Sequence, residues 1–128
     1  MMFYIHMGVP EMQEFWNNLR KKVIEGKANN NELKIYRKLG KALYHLSLDP
    51  FYPALKTHEI PELSKRYGRR VWQSYLENNR PASGRIFWSY GPEKDDITIT
   101  GLEPHPNTKS NSYKKIKLSD MGENLKEL

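Results

Sequence analysis

The hydrophobic pattern of this chain changes its period near Pro53, and this change is the strongest constraint on its folding. In the first fifty residues, apolar side chains recur every three or four positions in two successive runs. This spacing predicts two amphipathic helices, over residues 10–26 and 29–49. Asn29 and Glu32 have the spacing of a capping pair for the second helix. The short connector between the helices predicts an antiparallel helix hairpin.

The second half of the chain contains short segments rich in β-forming residues, separated by Gly, Pro and Asn. The clearest of them, residues 96–102, alternates Ile and Thr, which is typical of a half-buried strand. Predicted strands lie at residues 2–6, 54–60, 71–77, 84–90 and 96–102, with 61–70 as a loop or short helix and 113–118 as a final strand or docking arm.

These elements predict an α+β fold, in which the N-terminal antiparallel helix hairpin packs on one face of a mainly antiparallel sheet of four to five strands. The length of 128 residues suits one domain. It comprises a strand plus the helix hairpin (1–50), the sheet (54–106) and a C-terminal extension (107–128). Because successive strand residues face opposite sides, Phe87 and one of its two neighbours are predicted to lie in the core. The second face of the sheet is expected to stay free.

The chain is basic, and its positive charge is concentrated in the middle. The net charge is +6, from 21 basic and 15 acidic residues, and basic residues are densest between positions 56 and 85. A domain of this kind is a candidate for binding polyanions, the alternative being an ordinary solvated surface. The predicted RNA-binding residues are the basic Lys56, Lys65, Arg66, Arg69 and Arg80 and the aromatic Tyr90 and Tyr113, whose rings can stack on unpaired bases.

Several classes of protein are excluded by what the sequence lacks. The chain has no cysteine, so it forms no disulfide, thiolate zinc site or iron–sulfur cluster. No apolar run has the length of a membrane span, and the first residues lack the pattern of a signal peptide. We therefore expect a cytoplasmic protein without membrane contact. Its four histidines have no ligand-type spacing, and no metal or other cofactor is expected.

A set of polar residues is expected to converge across the predicted sheet. Lys56 and His58 lie two positions apart on one predicted strand and would therefore face the same side. Arg85 begins another strand, and Glu103 and His105 follow the end of its hairpin partner. In an antiparallel pair the start of one strand lies beside the end of its neighbour. Topology would therefore bring Arg85 close to the segment that holds Glu103 and His105.

These residue types fit the cleavage of RNA without a metal. In that reaction the 2′-hydroxyl attacks the adjacent phosphorus and the 5′-oxygen leaves, so a base, a cation and an acid are needed. Arginine suits the cation because its planar fork grips phosphate oxygens at two points. Histidine suits the base or the acid because an imidazole ordinarily titrates near neutral pH. The alternatives are that Arg85 pairs with a carboxylate at a sheet edge, and that His58 and His105 are structural residues.

The order of elements and three of the strand segments resemble the RelE/ParE superfamily of bacterial toxins. The order is a short strand, two helices and then strands that include Leu55–Ile60 (LKTHEI), Gly84–Trp88 (GRIFW) and Ile97–His105 (ITITGLEPH). The most specific part is Arg85 at the opening of a strand of aliphatic and aromatic residues, with a hairpin partner that ends near His105. The likeness covers about residues 2–106 and is one of pattern, not of identity.

The resemblance implies a toxin of a toxin–antitoxin system, an endoribonuclease that cleaves mRNA at the ribosome and is neutralised by a cognate antitoxin. Arg85 would stabilise the phosphorane-like transition state, Lys56 would hold phosphate, and His105 would act as acid or base with His58 as its partner. Two alternatives stay open: a ParE-like inhibitor of DNA gyrase, and a non-catalytic RNA-binding domain of the same fold. The chain departs from the compact members of the family at residues 61–83, a longer insertion, and at 107–128.

Overall fold

A computed structural model of the chain describes residues 2–77, 84–103 and 117–121. Its elements, in chain order, are β1 (Tyr4–Met7), α1 (Glu11–Ile24), α2 (Asn30–Leu48), a 3-10 turn (Pro53–Leu55), β2 (His58–Glu59), α3 (Pro61–Tyr67), β3 (Trp72–Tyr75), β4 (Arg85–Tyr90) and β5 (Asp96–Glu103). The protein is therefore an α+β fold, as the sequence predicts.

The two long helices begin where the sequence predicts, and each has a distinct N-terminal cap. In α2 the Asn29 side chain accepts a hydrogen bond from the Glu32 N–H, and the Glu32 carboxylate accepts one from the Asn29 N–H. This capping box satisfies two of the N–H groups that a helix start leaves unpaired. The ion pair of Glu32 with Lys22 on α1 and the cap bond together lower the pKa of the Glu32 carboxyl. The start of α1 uses a distant group instead, since the Met12 N–H donates to the hydroxyl of Ser119.

The strands form one mixed sheet in the order β1-β5-β4-β3-β2. β1 runs parallel to β5, whereas β5–β4, β4–β3 and β3–β2 are antiparallel pairs. The first described strand of the chain thus lies beside the last, and the two long helices lie between them in sequence. This topology makes β3, β4 and β5 interior strands and leaves β1 and β2 at the edges.

The predicted strand at residues 54–60 is wrong for most of its length. Pro53 begins a 3-10 turn that closes at Lys56, which has a left-handed backbone with φ of 51°. Only His58 and Glu59 then pair with β3. The proline at the first position of the turn has its φ already fixed, which favours a tight turn over an extended chain. The segment at 61–70, predicted as a loop or short helix, contains the seven-residue helix α3.

Both faces of the sheet carry a hydrophobic core, so the predicted free face is largely covered. On one face, α1 and α2 pack against Ile86, Trp88, Ile97 and Ile99. On the other, α3 and Leu118 pack against Phe87. Both neighbours of Phe87 are fully buried, whereas the sequence predicted only one. The reason is that Ile86 and Trp88 share the face covered by α1 and α2, while Phe87 is buried on the other face by α3 and Leu118.

The segment 117–121 is held to the sheet by backbone hydrogen bonds. The Ser119 N–H donates to the Thr100 carbonyl, and Val9 and Asp120 exchange two hydrogen bonds in an isolated antiparallel bridge. Within the predicted final strand at 113–118, residues 113–116 lie outside the described residues, and 117–118 form no strand. Of the docking arm, the alternative prediction for 113–118, only 117–118 are described, and there Leu118 packs in the core with Phe87.

Gly8 lets the segment 117–121 approach the start of α1, and a substitution at Gly8 tests how much this contact stabilises the fold. A Cβ at Gly8 would lie 2.7 Å from the Asp120 carbonyl oxygen and 2.8 Å from the Ser119 Cβ. We expect Gly8→Ala to lower the free energy of unfolding by about 1–3 kcal/mol, because backbone must move to make room. The control is Gly40→Ala within α2, where a Cβ would meet nothing within 4 Å. That change should raise stability by up to about 1 kcal/mol through helix propensity.

Urea unfolding of the two variants and the wild type measures both effects. Equal free energies of unfolding for Gly8→Ala and the wild type would show that the segment 117–121 does not pack against Gly8 in solution.

No helix among the described residues is both long and apolar enough to cross a bilayer.

Candidate functional site

Three polar side chains form a row across β2, β3 and β4, on the face of the sheet opposite α1 and α2. Arg85 Nη1 donates to Gln73 Oε1 at 3.2 Å, and Gln73 Nε2 lies 3.4 Å from His58 Nε2. The strand register makes this row, since His58 pairs with Gln73 and Gln73 pairs with Phe87, two residues after Arg85. The structure therefore brings together two of the predicted site residues, His58 and Arg85, through a third that the sequence did not indicate.

Contacts at both ring nitrogens orient the imidazole of His58. Its Nδ1 lies 2.8 Å from the Lys56 carbonyl oxygen, and a carbonyl can only accept a hydrogen bond. Nδ1 therefore carries the proton, and in the neutral ring Nε2 holds a lone pair that the Gln73 amide faces. The ring is exposed and lies 6.4 Å from the Tyr75 ring, edge to face. The arrangement presents a proton-accepting nitrogen toward Gln73 and Arg85.

Arg85 is half-buried on an interior strand, not at a sheet edge as the alternative interpretation supposed. Its guanidinium lies 5.4 Å from the centre of the Phe87 ring. Glu103 lies directly opposite Arg85 in the pairing of β4 with β5. The predicted convergence of Arg85 with the end of β5 is thus present at Glu103. His105 itself lies outside the described residues, as do Arg80 and Tyr113.

Gln73 is the residue of this row that sequence reasoning missed. Its side chain is only 2% exposed, although glutamine is usually found at the surface. Burial of an amide is costly unless both its ends are hydrogen-bonded, and here Arg85 and His58 meet that need. The signal in the sequence was a glutamine between Trp72 and Tyr75 on a predicted strand, where an apolar or small residue is usual.

Lys56 does not share a strand face with His58, so that expectation is wrong. It lies at the end of the 3-10 turn with a left-handed backbone, outside β2. Its side chain is exposed and its carbonyl contacts His58. Lys56 therefore contacts the row through its backbone, and its side chain is exposed.

The other predicted basic residues lie on and after α3. Arg66 is 3.5 Å from Glu62, one turn earlier on the same helix. The guanidinium of Arg69 lies 5.4 Å from the centre of the Tyr67 ring and donates to the Ser119 carbonyl. Its Nε is buried and has no hydrogen-bond partner in the part of the chain that the structure describes. Lys65 is exposed. Arg69 therefore helps to attach the segment 117–121 to α3, while Lys65 and Arg66 remain at the surface.

Tyr90 lies on the other side of the sheet from Arg85, which separates it from the row. Alternation along β4 places it on the same side as Trp88, and its ring packs against Trp88 and Phe3. Partial burial raises the pKa of the Tyr90 hydroxyl. Its ring is 46% exposed. Tyr90 remains available for stacking, but on a surface distinct from that of His58 and Arg85.

Arg70 is a basic residue that the sequence analysis did not select. It lies 3.0 Å from the carboxylate of Glu59, and its guanidinium is 4.7 Å from the centre of the Trp72 ring. The hydrogen bonds from Arg70 and Ser64 lower the pKa of the Glu59 carboxyl. This group holds the edge strand β2 to the chain that enters β3.

Within residues 2–77, 84–103 and 117–121, no three His, Cys, Asp or Glu side chains are grouped as a metal ion would require.

The comparisons with known proteins do not assign the site. No family model matches the chain, and no curated protein and no solved structure matches it significantly.

Proposed function

We propose that this protein is a metal-independent endoribonuclease of the RelE-like toxin kind, with His58 and Arg85 in its active site. The observation that carries the proposal is the row His58–Gln73–Arg85, which joins an imidazole and a guanidinium on one side of the sheet. The order of strand, two helices and further strands, on which the resemblance to that family rests, also supports it.

The chemistry follows from the groups that the row presents. When RNA binds, the ribose 2′-hydroxyl takes the place of the Gln73 amide at His58 Nε2, and this nitrogen accepts the hydroxyl proton while the 2′-oxygen forms a bond to the adjacent phosphorus. The bond from phosphorus to the 5′-oxygen breaks, and this oxygen receives a proton from an acid, a role that the resemblance assigns to His105. Arg85 neutralises the charge that gathers on the phosphoryl oxygens. The products are a 2′,3′-cyclic phosphate and a 5′-hydroxyl.

Gln73 acts in this scheme as a positioning residue. By bonding both Arg85 and His58 it sets the spacing between the proton acceptor and the cation. Side chains held by such supporting hydrogen bonds lose little entropy when substrate binds. The proposal also includes mRNA as substrate, the ribosome as the place of cleavage and a cognate antitoxin as partner, all of which come from the resemblance.

The proposal is tested with the purified protein and a short RNA in the presence of a chelator. We expect cleavage with 2′,3′-cyclic phosphate ends, and none when the reacting nucleotide is 2′-deoxy. His58→Ala should lower the rate by about 100- to 10,000-fold, the usual contribution of general acid–base catalysis. His6→Ala is the matched control, because His6 lies on β1 at the opposite edge of the sheet. The same assay is repeated with ribosomes.

Two outcomes would favour the alternatives. Intact RNA together with DNA-damage signalling after induced expression would indicate a gyrase inhibitor. RNA binding that weakens with salt but yields no products, with or without ribosomes, would indicate a non-catalytic RNA-binding domain.

A further inference from the structure

A cavity of about 460 Å³ lies between α2, the 3-10 turn and the end of β3. Ligand sites in proteins usually measure roughly 300–1,000 Å³. The cavity is apart from the row of His58, Gln73 and Arg85, none of which lines it. Nothing in the proposed chemistry uses it.

The rim of this cavity is positively charged on the side of α2. Arg37 and Lys41, one helical turn apart, are both exposed there, and Lys38 lies between them. Lys38 is neutralised by an ion pair of 2.9 Å with Glu77. Among the described residues, Arg37 and Lys41 take part in no ion pair. Two cations at this spacing suit a phosphate group, because arginine and lysine bind its oxygens with charge-assisted hydrogen bonds.

A stacked pair of aromatic rings and two buried leucines are among the residues that line the cavity. His45 and Tyr52 stack with ring centres 4.3 Å apart and planes within 2°. The leucines are Leu55 and Leu76. Aromatic faces with apolar neighbours are the usual surface on which a nucleobase stacks.

We propose that this cavity binds one nucleoside monophosphate unit, with its base against Tyr52 and its phosphate between Arg37 and Lys41. The aromatic rings and the buried leucines favour binding of the base, and the two cations favour binding of the phosphate. The unit comes from one of two sources with the same chemistry: a free nucleotide or a nucleotide within an RNA strand.

Tyr75 connects the cavity to the candidate active site. Tyr75 is among the residues that line the cavity, and its ring lies 6.4 Å from the ring of His58. A strand with one nucleotide in the cavity and another at His58 would pass the end of β3 at Tyr75. The proposal that the cavity binds a nucleotide of an RNA strand rests on the proposed function, whereas binding of a free nucleotide does not.

The test measures equilibrium binding to the full chain with two probes. One is adenosine or guanosine 5′-monophosphate, followed by calorimetry. The other is a labelled 2′-O-methyl oligoribonucleotide of about eight nucleotides, within the usual range of site sizes, followed by anisotropy over a range of salt concentrations. The methyl group blocks attack by the 2′-oxygen, so the result is independent of catalysis.

The variants separate the cations from the aromatic wall. Arg37→Gln with Lys41→Gln should weaken binding at least tenfold and reduce the salt slope of oligonucleotide binding by about 0.7, the value for one phosphate contact. Tyr52→Ala should weaken binding by about tenfold. Ala54→Trp, which places an indole in the cavity from the 3-10 turn, should abolish it. The matched control is Arg20→Gln with Lys21→Gln, on the exposed surface of α1. Thermal unfolding confirms that each variant is folded.

Each outcome decides the proposal. Binding of the nucleotide, the oligonucleotide or both, lost in the cavity variants and kept in the control, supports it and identifies the source. Binding of neither probe, or equal losses in the cavity variants and the control, would overturn it. Because the cleavage assay on His58 is separate, failure of the nuclease proposal and failure of this one give different results.

Discussion

Replacing Arg85 with alanine is expected to lower the rate of RNA cleavage by about 30- to 1,000-fold, while the protein stays folded. This is the effect of removing one group that stabilises charge in a transition state, about 2–4 kcal/mol. Arg85 donates to buried Gln73 and adjoins the exposed His58 through it. Its loss therefore removes the cation of the row and leaves the proton acceptor in place.

Arg85→Lys distinguishes the shape of the cation from its charge. A lysine keeps the charge but lacks the planar fork that grips two phosphate oxygens, so we expect a rate between those of the wild type and Arg85→Ala. Arg20→Ala on the exposed surface of α1 is the control. Single-turnover cleavage and urea unfolding should be measured on all variants.

A structural role for Arg85 would give the reverse result. If its main contact is with Glu103, its cross-strand neighbour, then Arg85→Ala would lower stability and leave the cleavage rate of the folded fraction unchanged. That result would remove the guanidinium from the mechanism, even if the protein cleaves RNA.

Replacing Phe87 with alanine is expected to lower the free energy of unfolding by about 3–5 kcal/mol. Phe87 is fully buried and packs with Ile60, Leu63, Val71 and Leu118. These contacts join the sheet to α3 and to the segment 117–121. Since small domains are stable by about 5–15 kcal/mol, this one side chain accounts for a large share of the total.

The control for Phe87 is the same change at an exposed phenylalanine. Phe51 is 51% exposed and contacts Trp72 edge to face, so Phe51→Ala should cost about 1 kcal/mol or less. Phe87→Leu should lower the free energy of unfolding by about 1–2 kcal/mol, so this variant stays folded if Phe87→Ala does not. It also removes the ring that lies next to the Arg85 guanidinium. Equal losses for Phe87→Ala and Phe51→Ala in urea unfolding would show that the second core is not formed in solution.

The helices and the hairpin strands were predictable because their signals are local. The capping pair of Asn29 and Glu32 forms within four residues, and the apolar stripes of α1 and α2 need only helical periodicity. The alternation around Ile97 and Ile99 likewise marks a strand before its partner is known. The predicted strand at 54–60 fails at Pro53 and Lys56, where a local turn overrides the β-forming composition of the residues that follow.

The candidate site was predictable only in part. Arg85 and His58 were identified by residue type, and the approach of Arg85 to Glu103 follows from the hairpin. Gln73 was missed because a glutamine on a predicted strand does not by itself show whether it faces solvent or polar partners on two neighbouring strands. Tyr90 was assigned to the same surface by residue type alone, and strand alternation places it on the opposite side.

The sequence by itself determined the class of fold, the positions of its long helices and the basic character of the chain, because these depend on near neighbours and on composition. The tertiary structure decided which residues meet. It placed β1 beside β5, covered the second face of the sheet with α3 and residues 117–121, and aligned His58, Gln73 and Arg85 across three strands. The physical reason is that strand register and the burial of Phe87 and Leu118 are set by contacts between distant parts of the chain, and no local pattern specifies such contacts.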